Sequence, residues 1–150
     1  MPLSFDQILA ELAALQPEAF DLKRLDSYGI ERLNALTHDL MLLPQPERAI
    51  SALFAVMERM PVAEMGTPGP LVHTLEKMRG HYEHELVKSI ERQPAYLSIW
   101  MVNRILNATR DSRQRQIYLD LLRIATEHPK TPESVRLEAE HFIQFQSRAA

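Results

Sequence analysis

Gly66-Thr67-Pro68-Gly69-Pro70-Leu71-Val72-His73-Thr74-Leu75-Glu76 leads through Tyr82, Leu86, Ser89, Arg92 and Pro94 to Trp100-Met101-Val102-Asn103-Arg104-Ile105-Leu106-Asn107. Prolines open the first and last helices of this stretch, and a third lies between them. The last is apolar on nearly every face yet keeps Asn103, Arg104 and Asn107. A helix that is hydrophobic all round belongs inside a protein, so those polar groups need partners. The pattern points to packed helices joined by a polar seam, not to a catalytic pocket.

Working outward, proline and capping residues mark the remaining helix starts. Ser4 with Gln7 reads as a capping box, and its helix runs to about Leu15, before Pro17. Asp26-Ser27-Tyr28-Gly29 introduces a second helix with Ile30, Leu33, Leu36 or Ala35, Leu40 and Leu43 on one face. Pro44-Gln45-Pro46 ends it and opens a third, buried through Ile50, Leu53, Phe54, Met57 and Met60. Thr67 is expected to cap a helix with Pro68 in its first turn, stopped near Gly80. A fifth runs from Tyr82 to Arg92, and Pro94 opens the sixth. Asp111 or Ser112 caps the seventh, which is expected to bury Ile117, Tyr118, Leu121, Leu122, Ile124 and Ala125. Thr131-Pro132-Glu133 opens the eighth, with Val135, Leu137, Ala139, Phe142, Ile143 and Phe145 inward.

No segment alternates with period 2, and only 4 glycines are available for hairpin turns. The expectation is a single all-α domain over residues 1–150, with seven or eight antiparallel helices. Pro46, Pro70 and Pro94 are 24 residues apart. That spacing matches a HEAT-like stack of helix pairs; a compact helical bundle is the alternative.

The absence of cysteine rules out disulfides, thiolate metal sites and cysteine nucleophiles. No basic start followed by an apolar run marks a signal peptide, and no stretch reaches the ~20 apolar residues of a membrane span. A cytoplasmic protein with no membrane partner is expected. The net charge of −3 is unevenly spread: residues 1–70 carry 5 Lys+Arg against 10 Asp+Glu, residues 71–150 carry 12 against 10. An acidic half disfavours nucleic acid and attracts basic proteins. The same imbalance also fits an unevenly decorated solvated face.

The motifs of catalysis are missing. Gly-x-Ser-x-Gly, His-Glu-x-x-His and a glycine-rich phosphate loop do not occur. His73 with Glu76, His81 with His84, and Glu138 with His141 are i,i+3 pairs. A di-iron bundle needs two Glu-x-x-His motifs and two further glutamates, so no metal or other cofactor is expected. Arg104, Arg110, Arg113, Arg115 and Arg123 are diluted by Asp111 and Asp120, and no direct nucleic-acid binding is expected. Tyr96, Trp100, Asn103 and Asn107 share one stripe, with Arg104 beside it and within reach of Glu76 or Glu83. Asn103, Arg104 and Asn107 are therefore read as a structural seam.

At Pro68-Gly69-Pro70-Leu71-Val72-His73 with Glu76, Tyr82 through Ser89 with Pro94, and Met101-x-Asn103-Arg104-Ile105-x-Asn107, the chain resembles a family of small bacterial immunity proteins. These are all-α, HEAT-like antidotes to polymorphic toxins of contact-dependent inhibition or Rhs type. The likeness covers roughly residues 66–145; residues 1–60 match only in helical character. It implies a non-enzymatic role, binding the C-terminal domain of a cognate toxin in the cytoplasm. A nuclease toxin would be basic, which makes Asp39, Glu47, Glu58, Glu64, Glu76 and Glu83 the candidate contacts. Two other readings stand beside it: a helical adaptor for another protein, and a helical-bundle enzyme built around His73, His81 and His84.

Overall fold

The capping box at Ser4 forms as the sequence requires: Gln7 N–H donates to Ser4 Oγ at 3.2 Å, and Ser4 N–H donates to Gln7 Oε1 at 2.9 Å. It starts α1 (Phe5–Ala14), the first of eight α-helices in a computed structural model that describes residues 2–149. The others are α2 (Gly29–Met41), α3 (Ile50–Arg59), α4 (Gly69–Lys77), α5 (Glu83–Arg92), α6 (Tyr96–Ala108), α7 (Ser112–Glu127) and α8 (Glu133–Ala149). Single 3₁₀ turns at Pro17–Phe20 and Pro46–Ala49 begin where proline fixes φ and removes an N–H that the first turn would not use. Among the described residues there is no strand, and no helix is long and apolar enough to cross a membrane. The fold is all-α.

Helix order follows a two-row pattern. In one row α1 packs on α3, α3 on α5 and α5 on α7; in the other α2 packs on α4 and α6 on α8. One connected core takes side chains from every helix, from Ile8 and Leu12 of α1 to Val135 and Ala139 of α8. Truncating a buried leucine in such a core costs about 2–5 kcal/mol. The packing fits the helical-bundle alternative.

Two local expectations change. The fourth helix begins at Gly69, not at Pro68, and Thr67 makes no cap. Gly69 has φ +78°, a backbone conformation that costs glycine little, and from it the chain turns into the helix with Pro70 in the first turn. Ile117, Ile124, Leu137 and Phe145 are exposed, not buried. The fully buried residues of α7 are Leu121, Leu122 and Ala125, with Tyr118 and Leu119 half-buried against the core, while Ile117 and Ile124 lie outside the arc that neighbouring helices cover.

Glycine is also needed where α2 begins. A Cβ on Gly29 would sit 2.5 Å from the Phe20 ring and 2.7 Å from the Ala19 carbonyl oxygen. That close approach, with Ser27 Oγ donating to Ala19 O at 2.9 Å, closes residues 21–28 into a loop whose ends meet at the Pro17–Phe20 turn.

Candidate functional site

The polar seam of α6 is built around Gln146. This side chain is 1% exposed and donates Nε2–H to Asn103 Oδ1 and Asn107 Oδ1, each at 2.7 Å. Its Oε1 accepts from Arg115 Nη2 at 3.0 Å. Arg115 Nη1 in turn donates to the carbonyls of Leu106 (2.7 Å) and Thr109 (3.1 Å), satisfying groups that the end of α6 leaves free. One turn away, Trp100 donates to Tyr96 Oη at 3.1 Å and meets the Phe142 ring edge-on at 6.3 Å. Contacts from Trp100 to Phe142 and from Asn103 and Asn107 to Gln146 run in the same direction along both helices, so α6 and α8 are parallel. Among the described residues no buried side-chain nitrogen or oxygen lacks a partner. Both asparagine oxygens and both ends of the Gln146 amide are used within the seam.

Arg104 joins α6 to α4. Its Nε and Nη2 donate to the two carboxylate oxygens of Glu76 at 2.7 and 2.9 Å, the two-pronged geometry that suits a guanidinium. Donating to this carboxylate raises the Arg104 pKa above its ordinary value. Glu83 does not join the pair. It folds back to accept the N–H groups of Gly80 and Tyr82 and so caps the start of α5. An open cleft lies beside these groups, lined by Tyr82, Arg104, Thr109 and Tyr118. Burial, reinforced by Glu83 and Glu76, pushes the Tyr82 hydroxyl up to about 12, and burial also raises Tyr118.

The remaining candidate carboxylates divide sharply. Glu58 is held between α3 and α5, accepting from Ser89 Oγ at 2.8 Å and from Arg92 at 3.0 and 2.9 Å, while Arg92 also reaches Glu85. Asp39 accepts the Leu3 N–H at 3.1 Å and fastens the N-terminal segment to α2. Glu47 and Glu64 make no ion pair or side-chain hydrogen bond among the described residues. Of the six candidate contacts, then, three face internal cationic or capping partners, one holds a backbone amide and two are open.

His81 and His84 line one open cleft with Glu47 and Glu85, while His73 lines a different groove. His73, His81, His84 and His141 are exposed, and His141 approaches Glu138 only at 4.0 Å. Among the described residues no group of three His, Asp or Glu side chains is placed to hold an ion. A groove of about 710 Å³ between α2 and α4 is lined by Asn34, His38, His73 and Lys77 and is open to solvent.

Two features escaped the sequence reading. Gln146 is the polar member of a stripe otherwise made of Val135, Ala139 and Phe142, a signal at helical spacing that was there to be read. The second is a cleft of about 460 Å³ where residues 61–64 meet the Pro17–Phe20 turn, floored by Phe20, Met60 and Ala63. No family model, curated protein or solved structure matches the chain.

Proposed function

We propose that this chain is a stoichiometric protein binder of the immunity type, an antidote that occupies the C-terminal domain of a basic toxin in the cytoplasm. One observation carries the reading. Of the 10 carboxylates in residues 1–70, only Glu11, Asp26 and Glu58 meet a cation among the described residues. Asp6, Glu18, Asp21, Glu31, Asp39, Glu47 and Glu64 do not, and they leave this half with a negative field that no internal partner neutralises. Such a field steers a basic partner into encounter. We read the two helix rows as HEAT-like, which would give that partner a broad face.

The test is capture from the native cell with tagged protein at physiological salt, with bound proteins identified by mass spectrometry. Stoichiometric recovery of the C-terminal region of a large secreted or surface protein, and rescue of cells expressing that region, are the expected results. A housekeeping complex in its place would move the assignment to an adaptor. Once the partner is in hand, its association rate should fall about tenfold or more between low and physiological ionic strength. A rate indifferent to salt removes the electrostatic support.

A further inference from the structure

A cleft of about 400 Å³ opens where the end of α6 meets α8, large enough for a small organic ligand. Asn107, Arg110, Arg115, Phe145 and Gln146 line it, and among the described residues no carboxylate does. Arg115 is held by four neutral oxygens: the carbonyls of Leu106 (2.7 Å), Thr109 (3.1 Å) and Gln146 (3.4 Å), and Gln146 Oε1 (3.0 Å). These dipoles orient the guanidinium and leave its net charge intact. Its Nε–H has no partner among the described residues, and no buried nitrogen there lacks one, so Nε reaches solvent. Arg110 is exposed and likewise meets no carboxylate among the described residues.

The surroundings do not cancel these two charges. Residues 105–116 and 143–149 carry Arg110, Arg113, Arg115 and Arg148 against Asp111 alone. Asp111 caps α7, accepting the Gln114 N–H at 2.9 Å. Arginines take phosphate and carboxylate alike through directed N–H groups. Two full positive charges match a phosphomonoester, about −1.5 to −2 at neutral pH, better than the single charge of a carboxylate. Phe145, 50% exposed, offers a flat apolar surface to the group that carries the anion.

We propose that this cleft binds a small phosphomonoester carried on a flat ring, its phosphate between Arg110 and Arg115 and its ring against Phe145. The site uses none of the acidic residues of the N-terminal half and stands independently of the immunity-type reading. The test is titration of the full chain with phenyl phosphate and with adenosine monophosphate at physiological salt, followed by amide NMR shifts. Shifts are expected at residues 106–115 and 142–148, with inorganic phosphate and adenosine each binding about tenfold or more weakly. Arg110→Ala should weaken both ligands about tenfold. Phe145→Ser should weaken them too, yet leave the response to inorganic phosphate as it was. Both side chains are exposed, so the melting of each variant should match that of the wild type. Inorganic phosphate or benzoate binding as tightly as phenyl phosphate, shifts that Arg110→Ala leaves in place, or no shifts at all overturn the proposal. So does an adenylate strand without a terminal phosphate that binds more tightly than the mononucleotide, which would make the cleft part of a strand-binding surface.

Discussion

Between α6 and α8 the polar atoms are inside: Gln146 is 1% exposed and holds both seam asparagines. Around residues 21–28 the apolar atoms are outside, with Leu25 fully in water. Each region breaks the usual partition, and each must be explained by what it touches. The Gln146 amide finds all its partners within the chain, so its polarity sets how α6, α7 and α8 fit together. The apolar side chains Leu22, Leu25 and Tyr28 of the loop find little cover there. A buried polar group and an exposed apolar cluster are both informative, and which of them marks function depends on whether the partner is already present.

The most direct way to break the seam is Gln146→Leu. It keeps the volume, removes three hydrogen bonds and turns an apolar side chain toward Arg115, Asn103 and Asn107. We expect a loss of about 2–3 kcal/mol in urea unfolding, equivalent to a fall in Tm on the order of 5–10 °C. Gln146→Glu should recover part of it, since both asparagine amides can turn their N–H groups to a carboxylate that also pairs with Arg115. Equal stability of wild type and Gln146→Leu would mean that the network contributes nothing.

Tyr82 extends the comparison to pH. Burial holds its hydroxyl at about 12 in the folded chain against an ordinary value of 10.0. The folded state therefore keeps a proton that the unfolded state has already lost. Its contribution is fully present below pH 10 and disappears as pH rises from about 10 to 12, a fall of about 2–3 kcal/mol. Tyr82→Phe should remain stable at neutral pH and lose this part of the alkaline slope. Identical slopes for the two proteins, measured by denaturant unfolding at stepped pH, would exclude it.

Much of this was legible beforehand, for reasons that differ by region. Ser4 with Gln7 and Asp111 with Gln114 are local hydrogen-bond devices, and they formed where the sequence placed them. Thr67 failed as a cap because the positive φ of Gly69 moved the helix start, a backbone choice that residue type only permits. Asn103 and Asn107 stood out as polar groups on an apolar helix, but their partner lies about 40 residues away and pairing at that range is tertiary. The same limit governs the carboxylates. Nothing local distinguishes Glu58, which meets Ser89 and Arg92, from Glu64, which meets no cation among the described residues. Nothing in the sequence singles out Leu22 and Leu25, because only the fold reveals how exposed they are.

The bridge from Arg104 to Glu76 lies between the two extremes, with side chains 37% and 28% exposed. Water and salt reach it, so its geometry overstates its worth. A double-mutant cycle with Arg104→Ala and Glu76→Ala should give a coupling of about 0.5–1 kcal/mol that shrinks in high salt. A coupling above 2 kcal/mol, or one unmoved by salt, would place the pair with the buried seam.

The smallest expected effects fall on the exposed loop and on Val62. Leu22→Asp, Leu25→Asp and Val62→Asp should each change folding stability by no more than about 0.5 kcal/mol, because none of the three supports the core. Phe20, two positions before Leu22, is buried at 4% exposure and serves as the internal standard: Phe20→Ala should cost about 3 kcal/mol or more in the same experiment. A turn that tolerates charge at Leu22 but not truncation at Phe20 holds its exposed side chains in place without drawing stability from them. If the Asp variants instead unfold the chain as Phe20→Ala does, the loop packs in solution and its apolar residues are core. The contrast with the seam would then vanish.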